Sequence, residues 1–195
     1  YEIFLSDWSS DVCSSDLQFL NKIAALGMPM VGVDPSLVLC YRDEYAKALG
    51  AARGDFQVLL PQEWLLSLPA DTLPLAKPTA DVDEKGEAEP WYLFAHCTEK
   101  TAKPSTHGDW GTLFSRFGAR LQPVSVGCCG MAGTYGHDAK QVENSKGIYG
   151  LSWAEPLSRL PKDRCLATGY SCRSQVKRME GEKLKHPPQA LLELL

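Results

Sequence analysis

Cys128-Cys129-Gly130 places two thiols on consecutive residues, and this limits what the surrounding fold can be. Neighbouring cysteines bridge each other only under strain, because a disulfide needs suitably placed Cβ vectors. Adjacent thiolates can both face one metal centre. Thirty residues separate the pair from Cys97 upstream, and forty-two separate it from Cys172 downstream. Single cysteines this distant, converging on such a pair, point to a soft-metal or iron–sulfur site. His137 follows the glycine-rich stretch 130–136 close to the pair. It reads equally as a ligand or proton donor and as a surface or helix-capping histidine.

The local text supplies a reason for cysteine at these places. Helix N-termini carry free N–H groups and a positive dipole end, which favour thiolate over thiol. Gly127 and Gly130 let the backbone turn sharply and approach a bulky group. The stretch 130–136 is not a phosphate loop, because no Lys-Ser/Thr follows it. Cys40 and Cys165 read as packed thiols, since cysteine is among the most buried residue types. His96 flanks Cys97, while His107 and His186 read as solvent-facing. Arg173, Lys177, Arg178, Lys183 and Lys185 read as a solvated helix face.

Residues 6–17, Ser-Asp-Trp-Ser-Ser-Asp-Val-Cys-Ser-Ser-Asp-Leu, back-translate into the end of a common sequencing adapter. On this reading residues 1–17 are an assembly scar and carry no fold information. Cys13 then leaves the seven cysteines and six remain. The authentic chain begins near Gln18, in mid-domain. The competing reading is a polar, serine-rich N-terminal tail.

Short apolar runs alternate with helical periodicity from there on. Strands are expected at 29–33, 56–60, 91–95, 120–126 and 164–168. Helices are expected at 18–26, 37–49, 61–68, 110–117, 139–149, 171–179 and 189–195. The pattern predicts an α/β fold with short parallel strands and flanking helices. Residues 69–90 hold four prolines and an acidic run, and read as a linker. The chain divides into a first half at 18–68 and a second at 91–195. The halves share a weak repeat: strand, Asp34-Pro35-Ser36-Leu37, helix, against strand, Gly169-Tyr170-Ser171-Cys172, helix. Each copy continues into a proline-led leucine helix, and Leu37 takes the position held by Cys172.

A formal net charge of −4 gives no case for nucleic-acid binding. No apolar run reaches the roughly 18 residues that span a bilayer, and the N-terminus does not read as a secretory signal. Thiols serving as ligands or redox groups fit a reducing compartment. The expected location is cytoplasmic, at most peripheral to the inner membrane.

Beyond the cysteines, several strings carry a family likeness. They are Val31-Gly32-Val33-Asp34-Pro35, Cys40-Tyr41-Arg42-Asp43-Glu44-Tyr45, His96-Cys97-Thr98-Glu99-Lys100, Gly127-Cys128-Cys129-Gly130-Met131, Gly133-Thr134-Tyr135-Gly136-His137 and Gly169-Tyr170-Ser171-Cys172-Arg173-Ser174-Gln175. With the spacing of Cys97, Cys128-Cys129 and Cys172 they resemble the cysteine-rich CCG domain. Over about Gln18 to Leu195 the likeness is to the C-terminal end of large bacterial FAD-binding and 4Fe-4S-binding oxidoreductases. The resemblance implies two CCG half-repeats, the first truncated, with Cys97, Cys128, Cys129 and Cys172 as metal ligands. The first half lacks a cysteine pair of its own, and Leu37 stands where a related repeat offers cysteine.

The resemblance further implies an electron-transfer module of an FAD-dependent D-2-hydroxy-acid dehydrogenase of the lactate or glycolate type. Its partners would be the FAD-linked oxidase and ferredoxin-like domains of the parent chain, with an electron acceptor beyond them. FAD would belong to the parent and not to this segment, which alone would have no dehydrogenase activity. Two alternatives remain: cysteines stapling the halves around a structural zinc, and a metal-free thiol docking domain.

Overall fold

Each strand of this chain leads into a helix that carries the chain back, so successive strands run the same way and pair in parallel. The computed structural model describes residues 7–73 and 89–195. Its first region runs α1 (Asp7–Ala25), β1 (Met30–Val31), α2 (Pro35–Arg42), α3 (Glu44–Leu49), β2 (Val58–Leu59) and α4 (Pro61–Ser67). Strands β1 and β2 pair in parallel, Met30 opposite Val58 and Val31 opposite Leu59. Val38, Phe56, Val58 and Leu60 form the core here, with Leu17, Leu20 and Ala24 of α1 leaning on it.

The second region runs β3 (Trp91–Phe94), α5 (Cys97–Ala102), α6 (Thr106–Arg116), β4 (Leu121–Pro123), α7 (Val142–Ser152), α8 (Ala154–Arg159), β5 (Cys165–Ala167), α9 (Tyr170–Glu180) and α10 (Pro187–Glu193). Its parallel sheet has the order β4-β3-β5. Side chains alternate across a strand, and this sheet is covered on both faces, as parallel sheets require. Trp91, Leu93 and Leu166 face one core with Trp110, Phe114 and Leu191. Phe94, Cys165 and Ala167 face the other with Met131, Tyr149 and Trp153.

The α/β class and the parallel pairing agree with the sequence pattern, but several element boundaries differ. The helix expected at 37–49 is two helices meeting at Asp43. It starts earlier than expected because Asp34 caps it, Oδ1 accepting from the N–H groups of Ser36 (3.0 Å) and Leu37 (3.4 Å). The strand expected at 120–126 is shorter, Leu121–Pro123. The helix expected at 139–149 begins at Val142, and a helix not anticipated at all follows Cys97. α1 begins at Asp7, ahead of Gln18. Most of the expected linker, residues 74–88, lies outside the described residues. Among the described residues no helix is long and apolar enough to cross a membrane.

The two regions interlock through polar groups. Buried Gln62 of α4 donates from Nε2 to Glu99 Oε1 (2.8 Å). Lys103 pairs with Glu63 of α4 (3.3 Å) and with Asp109 (3.0 Å). Asp34 Oδ2 accepts from the N–H of Tyr170 at the start of α9 (2.9 Å).

Candidate functional site

The carboxyl ends of β3, β4 and β5 deliver the cysteines. Beyond β3, His96 caps α5 and Cys97 is its first residue. Beyond β4 the chain extends to Cys128-Cys129, and beyond β5 it enters α9, whose first turn carries Cys172. Ligands in α/β sheets characteristically bind at the carboxyl ends of the strands.

Three segments distant in sequence thereby bring four thiols into one neighbourhood, as two neighbouring pairs. Cys128 pairs with Cys97, and Cys129 pairs with Cys172. The charge of Cys97 also reaches Cys172, which joins the two pairs. Cys129 and Cys172 are buried, while Cys97 and Cys128 are half-buried. The Cys172 thiol beside it lowers the Cys129 pKa to about 7; the N–H groups of Met131 and Ala132 support the shift against burial. Cys172 is pushed well up by its neighbour Cys129, then by burial and by the charge of Cys97. Burial raises Cys128, with Cys97 and Cys129 adding to it and the N–H of Gly130 opposing (N···S 3.3 Å).

The Cys-Cys-Gly turn is held on several sides. Gly130 has φ +86°, and a Cβ there would stand 2.2 Å from the carbonyl oxygen of Ser145. Ser145 Oγ donates to Gly130 O (2.7 Å). Ser152 Oγ accepts from the N–H of Gly127 (2.9 Å), and Trp153 Nε1 donates to Gly127 O (3.1 Å). Lys100 donates to Val126 O. At Gly169 a Cβ would lie 2.3 Å from His96 Cδ2 and 3.3 Å from Cys172 Sγ, so only glycine lets α9 approach this closely.

His96 links the regions beside the thiols. Its Nδ1 accepts from the N–H of Thr98 (3.2 Å), which places the ring proton on Nε2. That nitrogen faces Ser36 Oγ (3.3 Å) and Ser171 Oγ (3.4 Å). Burial lowers the His96 pKa, with Asp34 and Glu99 opposing. Below it Glu99 is fully buried and receives Gln62 Nε2, Thr106 Oγ1 and Thr168 Oγ1. Thr168 Oγ1 in turn accepts from the N–H of His96 (2.9 Å). Sequence reading passed over Glu99, Gln62, Thr106 and Thr168. The one local signal was an acid in the first turn of a helix that was itself unrecognised.

The remaining candidates lie around these groups. His137 lines a cleft of about 380 Å³ with Asp34, Leu37, Met131, Tyr170 and Ser171. Its Nδ1 accepts from Arg178 Nη2 (3.1 Å). Cys165 is buried, pushed up to about 12 by burial, and donates to Pro161 O (3.3 Å), in keeping with a core thiol. Cys40 lies half-buried on α2. Two histidines depart from the sequence reading. His186 is only 6% exposed, because at the N-cap of α10 it packs edge-on against the Trp110 ring. Burial takes its pKa down to about 4, with the charge of Arg173 acting the same way; the nearby main chain of Thr168 and Val33 opposes this. His107 is half-buried and likewise lowered by burial. Arg173 is also half-buried, stacked over Tyr170, and not fully in solvent.

Sulfur donors from two helix starts and the Cys-Cys-Gly turn are a set suited to soft metals and iron–sulfur groups. Among the described residues, however, no group of three or more His, Cys, Asp or Glu side chains forms a cage for a single ion.

Fold and site together define a class: an α/β segment that gathers cysteine thiols at the carboxyl ends of a parallel sheet. Across nearly its whole length the chain is homologous to one segment of D-2-hydroxyglutarate dehydrogenase. It is 62% identical over 177 residues to the Escherichia coli protein, covering 91% of this chain and 16% of that one. Against the Pantoea ananatis protein identity is 60% over 182 residues, covering 93% and 17%. Against that of Haemophilus influenzae it is 48% over 186 residues, covering 95% and 18%. The chain thus spans less than a fifth of the length of these relatives. No protein-family model matches it, and no solved structure matches it significantly.

Proposed function

We propose that this segment holds an iron–sulfur cluster on Cys97, Cys128, Cys129 and Cys172, and serves electron transfer within an FAD-dependent D-2-hydroxyglutarate dehydrogenase. The observation that carries the reading is the meeting of four thiols from three strand ends. Homology to that dehydrogenase supports the reaction. An iron–sulfur cluster supplies one-electron storage when bound. The residues here bind it, exclude water from the buried Cys129 and Cys172, and bias the Cys129 sulfur toward thiolate. N–H groups around Cys128 and Cys129 favour negative sulfur, and such hydrogen bonds also set cluster potential.

His137, on the cleft side of the Cys-Cys-Gly turn, is a candidate outer ligand or proton donor. The proposal also takes the two regions as copies of one unit, the second copy carrying the cysteines, with the FAD-linked and ferredoxin-like domains supplied by the rest of the parent chain.

Anaerobic purification of the full-length protein tests the reading. We expect more iron and acid-labile sulfide in the wild type than in Cys129→Ser, with matching loss of visible absorbance near 400 nm. Equal iron in both proteins would overturn the ligand assignment. Stoichiometric zinc without colour from this segment would replace it with the structural reading.

A further inference from the structure

We propose that the open edge of β1 is the seat of one more parallel strand, supplied by the part of the full-length chain that precedes this segment. The inference rests on the two-copy reading and deepens it by naming the missing neighbour and its register.

The two copies match bond for bond. In the second, Ala167 N–H donates to Lys185 O (3.0 Å), and Leu166 bridges Lys185 in parallel. In the first, Gly32 N–H donates to Leu59 O (2.9 Å), and Val31 pairs with Leu59 in parallel. Both partners run on into a proline-led helix, Leu60-Pro61 and His186-Pro187. The His186 ring lies beside the ends of both strands, near the main chain of Val33 and Thr168. Val33 therefore corresponds to Thr168, and Val31 to Leu166.

On its other side β5 is complete. Leu166 pairs with Leu93 of β3, and Thr168 N–H reaches Phe94 O (3.4 Å). On the corresponding side of β1, no strand lies among the described residues. The ladder alternates in direction along a strand, so Gly32 faces β2 while the main-chain groups of Val31 and the N–H of Val33 face the open side. The same stretch shows apolar surface: Met28 is 47% exposed, Val31 37% and Val33 64%. Residues 28–33 carry no charge to guard such an edge, which would invite unwanted pairing.

Chain length argues for the occupant. This segment covers only 16% of the Escherichia coli relative, so the parent has ample further chain to place there. The incoming strand runs parallel to β1. One of its carbonyls accepts from Val33 N–H, as Phe94 O accepts from Thr168.

Residue-resolved hydrogen exchange on the full-length protein tests this, with Gly32 as the internal control because it bonds to β2. We expect the amides of Val31 and Val33 to be protected by about 100-fold or more over intrinsic exchange, comparably to Gly32. A protected Gly32 beside Val31 and Val33 exchanging near intrinsic rates would overturn the proposal. So would protection that falls on dilution, with cross-links between isotopically distinct copies, since a second molecule would then fill the edge. Iron measured on the same sample keeps the outcomes separate: the cluster stands or falls on metal content, the strand on these amides.

Discussion

The first and second regions follow one strand–turn–helix scheme to different ends. After β1 the helix places Leu37 in its first turn, 53% exposed beside the cleft. After β5, helix α9 places Cys172 in its first turn, buried beside Cys129. The first region builds its core around four buried residues, whereas the second buries both faces of a three-stranded sheet. The scheme alone makes a scaffold. It becomes a candidate site where a glycine corner, a completed sheet and cysteine at the helix start coincide.

The sharpest way to break the comparison is to exchange roles at the paired positions. In the full-length protein Cys172→Ser should lower iron content by about tenfold or more, whereas Leu37→Ser should leave it unchanged. Equal loss from both would show that the position matters and not the sulfur. Core size gives the next contrast. Leu93→Ala, in the doubly covered sheet, should cost about 4 kcal/mol; Leu60→Ala, in the small core that can collapse, about 2 kcal/mol. Urea midpoints decide it, and equal losses would erase the distinction.

His186, beside the two strand ends, yields a pH test. Its folded value of about 4 lies below the ordinary 6.5, so the unfolded chain takes up the proton first as pH falls. This contribution is present above about pH 6.5 and is lost progressively down to about pH 4, amounting to roughly 3 kcal/mol. His186→Gln should flatten that part of the stability curve, and parallel wild-type and variant curves would rule the ring out. Smallest is the glycine contrast. Gly130→Ala, with positive φ and a carbonyl in the way, should cost about 2 to 3 kcal/mol. Gly27→Ala, with positive φ in open space, should cost about 1 kcal/mol by thermal or urea unfolding.

Much of the scaffold was legible locally. Apolar runs marked each strand, and proline-led starts marked α4 and α10, because periodicity and ring geometry act within a few residues. The adjacency of Cys128 and Cys129 was legible for the same reason. What stayed hidden depends on distant partners. Nothing near Glu99 announces that Gln62, Thr106 and Thr168 will surround it, and nothing near His186 announces its burial. The split at Asp43 escaped because the apolar spacing continues through it.

The amino-acid order by itself determined the alternation of strand and helix, hence the parallel pairing, and the glycine corners on which thiols could sit. Only the tertiary structure decided that Cys97 meets Cys128 while Cys172 meets Cys129. It also left β1, among the described residues, paired with β2 alone. Burial and the Coulomb field at a sulfur are sums over neighbours far away in the chain, and those neighbours exist only once the fold has closed.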